Sequence, residues 1–378
     1  MKKILITCTD VIMFQFLLPH ALYLISKGYL VDVACSSPEE YKKEMYMDYI
    51  RQSLPKECNI YNISAKRSLF SLQNIKAYKQ IKNIINSSTY DIIWANEPVM
   101  GVITRLAAFG VRRKGKTKVL YLVQGYHFFK GAPLKSWIHY PVEKFMSQFC
   151  DCMCMVNWED YFFTRKNMPK THVEHIDGIG FDANKFKNAD INKDAKRAEL
   201  GISTDDILIV SVGELQTRKN HELVIRALAK LNNPKLKYII CGRGELLFHL
   251  TKLCNELKIS DRVQFLGHRH DINEILKASD IFAYPSQKEG LGIAALEAMA
   301  AGLPMITSNI QVIKDFVVNG KNGYCFSPKD VDGYAEALKT LVENKDLRVS
   351  IGKHNTTAVE KYNLKNSLNE VESIINCI

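Results

Sequence analysis

Apolar, β-branched runs alternate with helical stretches along this chain, and that alternation constrains its fold more than any other feature. The predicted strands of the first half are KKILITC (2–8), LVDVACS (30–36), YDIIWAN (90–96), KVLYLVQG (118–125) and CMCMVN (152–157). Helical stretches such as FLLPHALYLISKGY (16–29) separate them. Strands that alternate with helices form parallel sheets covered on both faces. The pattern therefore predicts a doubly wound α/β domain at residues 1–183.

The second half of the chain repeats the pattern. Its predicted strands are ILIVSVGEL (207–215), KYIICG (237–242), RVQFLG (262–267), DIFAYPS (280–286) and PMITS (304–308). The polar run at 181–206 has no strand signal and is predicted to hold the interdomain link. A second domain is predicted at 184–359, since 378 residues suffice for two cores.

The first strand lacks the glycine pattern of a dinucleotide-binding enzyme. A G-x-G-x-x-G motif would follow that strand, but the chain has Cys8-Thr9-Asp10-Val11-Ile12 there. This weakens an oxidoreductase hypothesis. Gly242 and Gly244 follow a strand of the second domain, where they form either a plain strand-to-helix turn or one wall of a ligand site.

Targeting and metal signals are weak. MKKILITCTD is predicted to be a first strand and not a signal peptide, and no apolar run approaches the ~18–20 residues of a membrane span. The ten cysteines are scattered through predicted strands and helices, and Cys150, Cys152 and Cys154 match no zinc spacing. We expect reduced thiols and a cytoplasmic protein.

The basic excess of the chain belongs to its first half. Residues 1–180 hold 24 Lys and Arg against 15 Asp and Glu, a formal charge of +9. The remaining residues hold 27 against 25, a charge of +2. A one-sided excess indicates an anionic partner. No RNA-recognition motif is present, so we expect membrane headgroups or a lipid diphosphate and not nucleic acid.

Two glutamates flank the start of a predicted helix in PSQKEGLGIAALEAMAAGLP (285–304). Glu289 lies in the glycine-containing loop, and LGIAALEAMA (291–300) has helical character, with Glu297 inside it and Gly302 at its end. Glu297 is therefore expected roughly 9–12 Å further along the helix axis at ~1.5 Å per residue. Free backbone N–H groups between them suit a diphosphate, so each glutamate would hold one end of a sugar nucleotide.

These motifs together resemble the retaining glycosyltransferases of family 4. The resemblance includes VGEL (212–215) with Arg218-Lys219-Asn220, CGRGE (241–245), FLGHRHDI (265–272) and SDIFAYPS (279–286). In the first half, GYHFFKGAP (125–133), NWED (157–160) and HIDGIGFD (175–182) resemble the subgroup that builds capsule, O-antigen and glycoprotein glycans on polyprenyl diphosphate. The resemblance implies a GT-B fold, with two facing Rossmann-like domains and a cleft between them. In relatives the last helix, about 360–378 here, crosses back onto the first domain.

The resemblance also implies roles for particular residues. Glu297 would hold the ribose hydroxyls, and Arg218 and Lys219 the diphosphate. Glu289 would hold the sugar hydroxyls, while His127 approaches from the facing domain. Lys130 would meet the acceptor diphosphate. The remaining donor contacts would come from Gly213, Gly242, Arg243, Gly244, Gly290, Leu291, Gly292 and Ile293.

Two fixed cations can stabilise a leaving diphosphate without a metal. Asp330-x-Asp332 resembles a metal-binding DxD, but it opens a helix, where capping is expected, and Asn157 and Asp160 are likewise expected to form a helix cap. No metal site and no cofactor is predicted. Gln124 stands where subgroup members usually have histidine.

The resulting hypothesis is a retaining, metal-independent glycosyltransferase at the inner face of the cytoplasmic membrane. It would move a hexose or N-acetylhexosamine from a UDP-sugar to a lipid-linked saccharide in surface polysaccharide or glycan assembly. Retention and the uridine preference come from the resemblance. A UDP-sugar epimerase of the same fold, which needs no acceptor, and an inactive membrane-associated scaffold stay open as alternatives.

Overall fold

The protein consists of two compact units. The computed structural model describes residues 1–37, 41–68, 70–129 and 131–378, with the backbone alone described at 41–45 and 311. The first unit is Met1–Gly180 together with Lys365–Ile378, and the second is Phe181–Leu364. In the described ranges, none of the helices is both long and apolar enough to cross a membrane.

The first unit is built on a seven-stranded, all-parallel sheet with the order β3-β2-β1-β4-β5-β6-β7. Its strands are β1 (Lys3–Asp10), β2 (Leu30–Ser36), β3 (Ile60–Asn62), β4 (Ile92–Asn96), β5 (Lys118–Val123), β6 (Cys152–Met155) and β7 (Val173–His175). Its helices are α1 (Val11–Ser26), α2 (Tyr41–Ser53), α3 (Gln73–Ser87), α4 (Pro98–Arg113), α5 (His139–Met146) and α6 (Trp158–Asn167). The predicted strands are confirmed, and the edge strands β3 and β7 were not predicted.

Local polar contacts fix where helices begin in this unit. The Asp10 carboxylate accepts the Met13 N–H at 3.1 Å and starts α1 directly after β1. The Asn157 side chain accepts the Asp160 N–H at 2.9 Å and starts α6. The predicted cap at Asn157 is therefore confirmed. A short polar side chain in extended conformation satisfies an otherwise unpaired helix N–H.

The second unit contains a six-stranded parallel sheet with the order β10-β9-β8-β11-β12-β13. Its strands are β8 (Ile207–Val212), β9 (Leu236–Cys241), β10 (Val263–Gly267), β11 (Ile281–Tyr284), β12 (Met305–Ser308) and β13 (Gly323–Phe326). Its helices are α7 (Ala183–Lys187), α8 (Lys193–Glu199), α9 (His221–Leu231), α10 (Leu247–Glu256), α11 (Ile272–Ala278), α12 (Ile293–Ala300), α13 (Gln311–Lys314), α14 (Val331–Glu343) and α15 (Lys345–Ala358). The polar run at 181–206 forms α7 and α8 and no strand, as predicted. Asp330 caps α14 through the Gly333 N–H at 2.8 Å, which confirms its predicted role.

The last helix, α16 (Leu364–Cys377), packs on the first unit. Ser367 lies within hydrogen-bond distance of the buried His20 ring, at 3.1 Å, and donates to the Gly178 carbonyl at 2.9 Å. The Tyr23 hydroxyl of α1 donates to Glu372 at 2.6 Å. Burial lowers the pKa of His20 to about 4, so the ring under this helix is neutral at pH 7.

Each sheet contains one point where the strand order reverses. In the first unit it lies between β1 and β4, and in the second between β8 and β11. Strands on the two sides of that point send their connections in opposite directions, which leaves a crevice at the carboxyl ends. Ligands of open α/β sheets bind there, so these two points locate the candidate sites.

A buried ion pair fixes α4 against α5 in the first unit. Arg105 donates to Glu143 at 2.8 Å, and both side chains are almost fully buried. The Tyr121 hydroxyl donates to the other Glu143 oxygen at 3.0 Å, and Arg105 also donates to the Gly101 carbonyl at 2.9 Å. Every partner of this network lies within the core, where losing one charge leaves the other unpaired.

Replacing Glu143 with Ala should destabilise the protein by ~3–5 kcal/mol, because the Arg105 charge stays buried without its partner. Urea unfolding followed by circular dichroism measures this loss. As a control, Asp48→Ala removes the exposed pair with Arg51 and should change stability far less. Equal losses in the two variants would show that the Arg105 network does not support the first unit.

Candidate active site

Helix α12 begins between the two predicted glutamates. Gly292 precedes it with φ +85°, a backbone conformation that side chains rarely adopt, and this turn brings the chain from the loop into the helix. A Cβ at Gly292 would also lie 3.4 Å from Ile313. Leu291 and Ile293 on either side pack against the core of the second unit. The predicted helix and its end before Gly302 are confirmed.

The carboxylate of Glu289 brings together the two predicted cations. Lys219 Nζ lies 2.7 Å from one Glu289 oxygen, and Arg218 lies 3.5 Å from the other. The Lys219 and Glu289 side chains are 10% and 9% exposed, whereas Arg218 is 45% exposed and also pairs with Glu214 at 2.9 Å. We call Arg218, Lys219 and Glu289 the switch-point cluster. It joins the loop after β8 to the loop after β11, where the strand order reverses.

Backbone and aromatic contacts hold the switch-point cluster in place. The Gln287 N–H donates to the Arg218 carbonyl at 2.8 Å, which ties the two loops together directly. Lys219 Nζ also lies 5.2 Å from the centre of the buried Tyr284 ring. Burial, and then the neighbouring Glu289 charge, raise the pKa of Tyr284 well above its ordinary value, so its phenol keeps its proton.

The glycines after β8 and β9 permit a close approach of two backbones. A Cβ on Gly242 would collide with the Gly213 carbonyl, and one on Gly244 with the Leu215 carbonyl. The Leu215 N–H donates to the Arg243 carbonyl at 3.0 Å across the same contact, while the Arg243 side chain is exposed. The glycine pair therefore packs the loop after β9 against the loop that leads to Lys219.

Glu297 lies within α12 and stands apart from the switch-point cluster. Among the described residues its carboxylate has neither a hydrogen bond nor an ion pair within bonding distance. Burial raises the pKa of this carboxyl to about 7, and the positive charge of Lys185 on α7 opposes that shift only partly. A partly buried acid of this kind has unused acceptor capacity, as a site for ligand hydroxyls requires.

Gly290 lies next to Glu289 in the loop after β11, and the remaining predicted residues belong to the first unit. His127 follows β5, is exposed, and its ring lies 4.8 Å from that of His139. Lys130, the predicted acceptor contact, lies outside the described residues. The Gln124 amide nitrogen is buried and meets no hydrogen-bond partner in the described parts of the chain. The structure thus places His127 and Gln124 on one loop.

Glu97 lies at the strand reversal of the first unit, and the sequence analysis did not single it out. It follows β4 and has φ +63°, which is rare for a residue with a side chain. Its carboxylate accepts the Thr9 N–H at 2.8 Å, across from the end of β1. Burial raises the pKa of Glu97 to about 7. The sequence feature that could have indicated Glu97 is an acidic residue directly between a strand and Pro98, the first residue of α4.

Comparisons with known proteins identify the family of this chain. The family model described as glycosyl transferases group 1 matches residues 192–357, and the one described as glycosyl transferase 4-like matches residues 10–157. EpsD of Bacillus subtilis (strain 168), itself named only provisionally as a glycosyltransferase, is 32% identical over 379 residues, or 99% of this chain and 96% of that protein. The UDP-Gal:alpha-D-GlcNAc-diphosphoundecaprenol alpha-1,3-galactosyltransferase of Escherichia coli is 28% identical over 317 residues, or 82% of this chain and 81% of that protein.

Among solved structures, Anabaena HepE in complex with UDP and glucose superposes with a TM-score of 0.82, at 18% identity and with all of both chains covered. Two parallel-sheet α/β units with such neighbours define the GT-B class of glycosyltransferases. This chain belongs to the glycosyl transferases group 1 family, with a 4-like N-terminal region, and it is a glycosyltransferase.

Replacing Glu297 with Gln should make the ligand-free protein more stable than the wild type at pH 8, and this gain should be larger at pH 8 than at pH 5. The folded-state pKa of about 7 lies above the ordinary value of 4.5, so the native state binds more protons in this window and loses stability as pH rises. The free energy of unfolding lost when this carboxyl ionises is on the order of 3 kcal/mol. Gln does not ionise, so the variant avoids this loss. Calorimetric Tm values at both pH values measure the difference. Exposed Glu256→Gln is the control, and a wild-type-like pH profile in Glu297→Gln would contradict the raised pKa.

Proposed function

We propose that the protein transfers a hexose or N-acetylhexosamine from a UDP-sugar to a lipid-linked saccharide, with retention at the anomeric carbon and without a metal. The observation that supports this most is the switch-point cluster. It places two cations and one carboxylate at the strand reversal of the second unit, beside the N-terminus of α12. A diphosphate joined to a hydroxyl-rich sugar matches that combination of charges.

Lys219 is the group that stabilises the leaving nucleoside diphosphate in this proposal. Charge builds on the diphosphate as the glycosidic bond breaks, and a fixed, desolvated ammonium stabilises it more than a solvated one. Lys219 is mostly buried and held by Glu289 at 2.7 Å. Arg218 is more exposed and supplies a second cation on the solvent side. Among the described residues, no group of three His, Cys, Asp or Glu side chains could hold a metal.

The two glutamates have different roles in the proposal. Glu289 orients Lys219 with one oxygen and offers the other to hydroxyls of the transferred sugar. Glu297 accepts from the ribose hydroxyls, because its carboxyl has free acceptor capacity and lies within α12. His127 is assigned to the reaction centre on family resemblance, as a polar group that contacts the transferred sugar.

Donor and acceptor classes come from the relatives. The Escherichia coli relative is named for a UDP-sugar donor and a diphosphoundecaprenol-linked acceptor. The Anabaena structure contains UDP and glucose. We infer the same classes for this chain, in the assembly of capsule, O-antigen or related surface glycans.

Peripheral binding to an anionic membrane is part of the proposal. The first unit has 25 Lys and Arg against 17 Asp and Glu, a formal charge of +8, and the second unit has +3. Basic residues near an anionic surface contribute about 1 kcal/mol each at low screening. Large apolar side chains on the first unit are also exposed, among them Leu134 and Phe145.

Release of UDP in the presence of a lipid-linked acceptor tests the proposal. The full-length protein is incubated with a panel of UDP-sugars, with and without a synthetic polyprenyl-diphosphate saccharide. We expect acceptor-dependent UDP release, a product heavier by one sugar in mass spectrometry, and no effect of EDTA. Conversion of the UDP-sugar without acceptor would indicate an epimerase instead. No turnover in any combination, or loss of turnover in EDTA, would contradict the proposal.

Replacing Lys219 with Ala should lower kcat at least ~10-fold, because a charge-assisted contact worth ~1.5–3 kcal/mol is lost in the transition state. Arg218→Ala should have a smaller effect, because that side chain is more exposed. Initial rates at saturating donor measure both. The matched control is Lys230→Ala, an exposed lysine on α9 that pairs with Asp332. Thermal melts verify folding, and full activity of folded Lys219→Ala would remove the cluster from catalysis.

A further inference from the structure

A polar hollow lies at the carboxyl ends of β1, β2 and β3 in the first unit, and none of the residues proposed above to bind the donor lines it. Its larger part has a volume of about 490 Å³ and is lined by residues that include Ser36, Asn62, Lys66 and Lys76. A second part of about 320 Å³ shares Ser36, Ala65 and Lys66 with the first and adds Thr9, Asp10 and Arg67. We call the two parts together the β1–β3 hollow.

The charge of the β1–β3 hollow is positive. Lys66, Arg67 and Lys76 line it, and Asp10 is the one acid among the lining residues that the structure describes. Asp10 caps α1 and pairs with Arg67 at 3.0 Å, so its charge is already balanced. Within the described parts of the chain, Lys66 and Lys76 form no ion pair. Two cations that line a hollow of this size match a compact, multiply charged anion.

Helix α3 connects the hollow with an apolar surface. At about 100° per residue, Gln73, Lys76 and Gln80 form one stripe, which lines the hollow. A second stripe, Ala77, Ile81 and Ile84, lies about 90° away and is buried in the core.

A third stripe of α3 is exposed. It flanks the stripe that lines the hollow, on the side away from the core. Leu72 at its start is 81% exposed and Ile75 is 57% exposed, and Phe70 just before the helix is 75% exposed. Exposed apolar side chains beside a cationic hollow are costly unless a ligand or surface covers them. The residues on α3 therefore offer a phosphate-binding stripe and a hydrocarbon-binding stripe side by side.

We propose that the β1–β3 hollow binds the diphosphate of an isoprenoid-linked acceptor, and that Leu72, Ile75 and Phe70 contact the first isoprene units. The inference rests on the proposed function, because it names the place where the lipid-linked acceptor binds. Lys66 and Lys76 hold the diphosphate, and Arg67, paired with Asp10, lies beside them. The apolar stripe selects a lipid over free phosphate. A diphosphate ester has this combination of a compact polyanion and a hydrocarbon chain.

Calorimetric titration of the full-length protein tests the site, with UDP present to occupy the donor site. The probes are farnesyl diphosphate below its micelle concentration, inorganic pyrophosphate and farnesol. We expect farnesyl diphosphate to bind at least ~10-fold more tightly than pyrophosphate, and farnesol not to bind. The double variant Lys66→Ala, Lys76→Ala should weaken both diphosphates at least ~10-fold, since two charge-assisted contacts are lost. Leu72→Ser with Ile75→Ser should weaken farnesyl diphosphate alone.

The matched control is Lys114→Ala with Lys116→Ala, which removes the same charge from exposed positions of the first unit that line neither part of the hollow. It should leave both affinities unchanged. Equal weakening by the two lysine pairs would overturn the proposal in favour of overall charge. Equal binding of pyrophosphate and farnesyl diphosphate, insensitive to the serine variant, would overturn the lipid assignment. UDP binding is measured separately in each variant, so failure of the donor proposal and failure of this one are distinguishable.

Discussion

Every strand pairing in the two sheets is parallel, and the rest of the structure depends on that constraint. Parallel strands end at one edge, so polar residues that are far apart in sequence meet where the strand order reverses. Lys219 and Glu289 are 70 positions apart, yet their charged atoms lie 2.7 Å apart because β8 and β11 are neighbours. In the first unit the same geometry brings Glu97 to the Thr9 backbone. The two units thus place charged groups at equivalent points of similar sheets.

Much of the fold could be predicted from the sequence, because the central strands are buried on both faces and therefore form continuous apolar runs. β3, β7 and β13 escaped prediction for a physical reason. They have three or four residues and lie at sheet edges, where one side needs no apolar partner. The resemblance named the residues of the candidate site one by one, including Glu289 and Lys219, and their roles stay predictions. Their ion pair could not be predicted, since it depends on strand order. Glu97 was missed because its sequence signal, an acid between a strand and Pro98, is weak, while its unusual backbone angle and its burial arise only in the folded chain.

The basic residues of the first unit fall into two groups with different physical roles. The charge of Arg105 is paired within the buried network around Glu143. Arg112 donates to Asp151 and to two backbone carbonyls near the end of α5, so its charge also serves packing. Lys66 and Lys76 face a hollow instead. Part of the positive charge of this unit therefore serves packing, and a simple count of its basic residues overstates the charge that is available to a partner.

The position of α16 has a consequence for how the chain is made. The second unit is one continuous segment, whereas the first needs its last 14 residues, Lys365–Ile378, to cover His20 and the end of β7. These residues are synthesised after the whole of the second unit. The second unit therefore has all of its residues available before the first unit can be completed. The polar contacts of His20 with Ser367 and of Tyr23 with Glu372 can form only after that point.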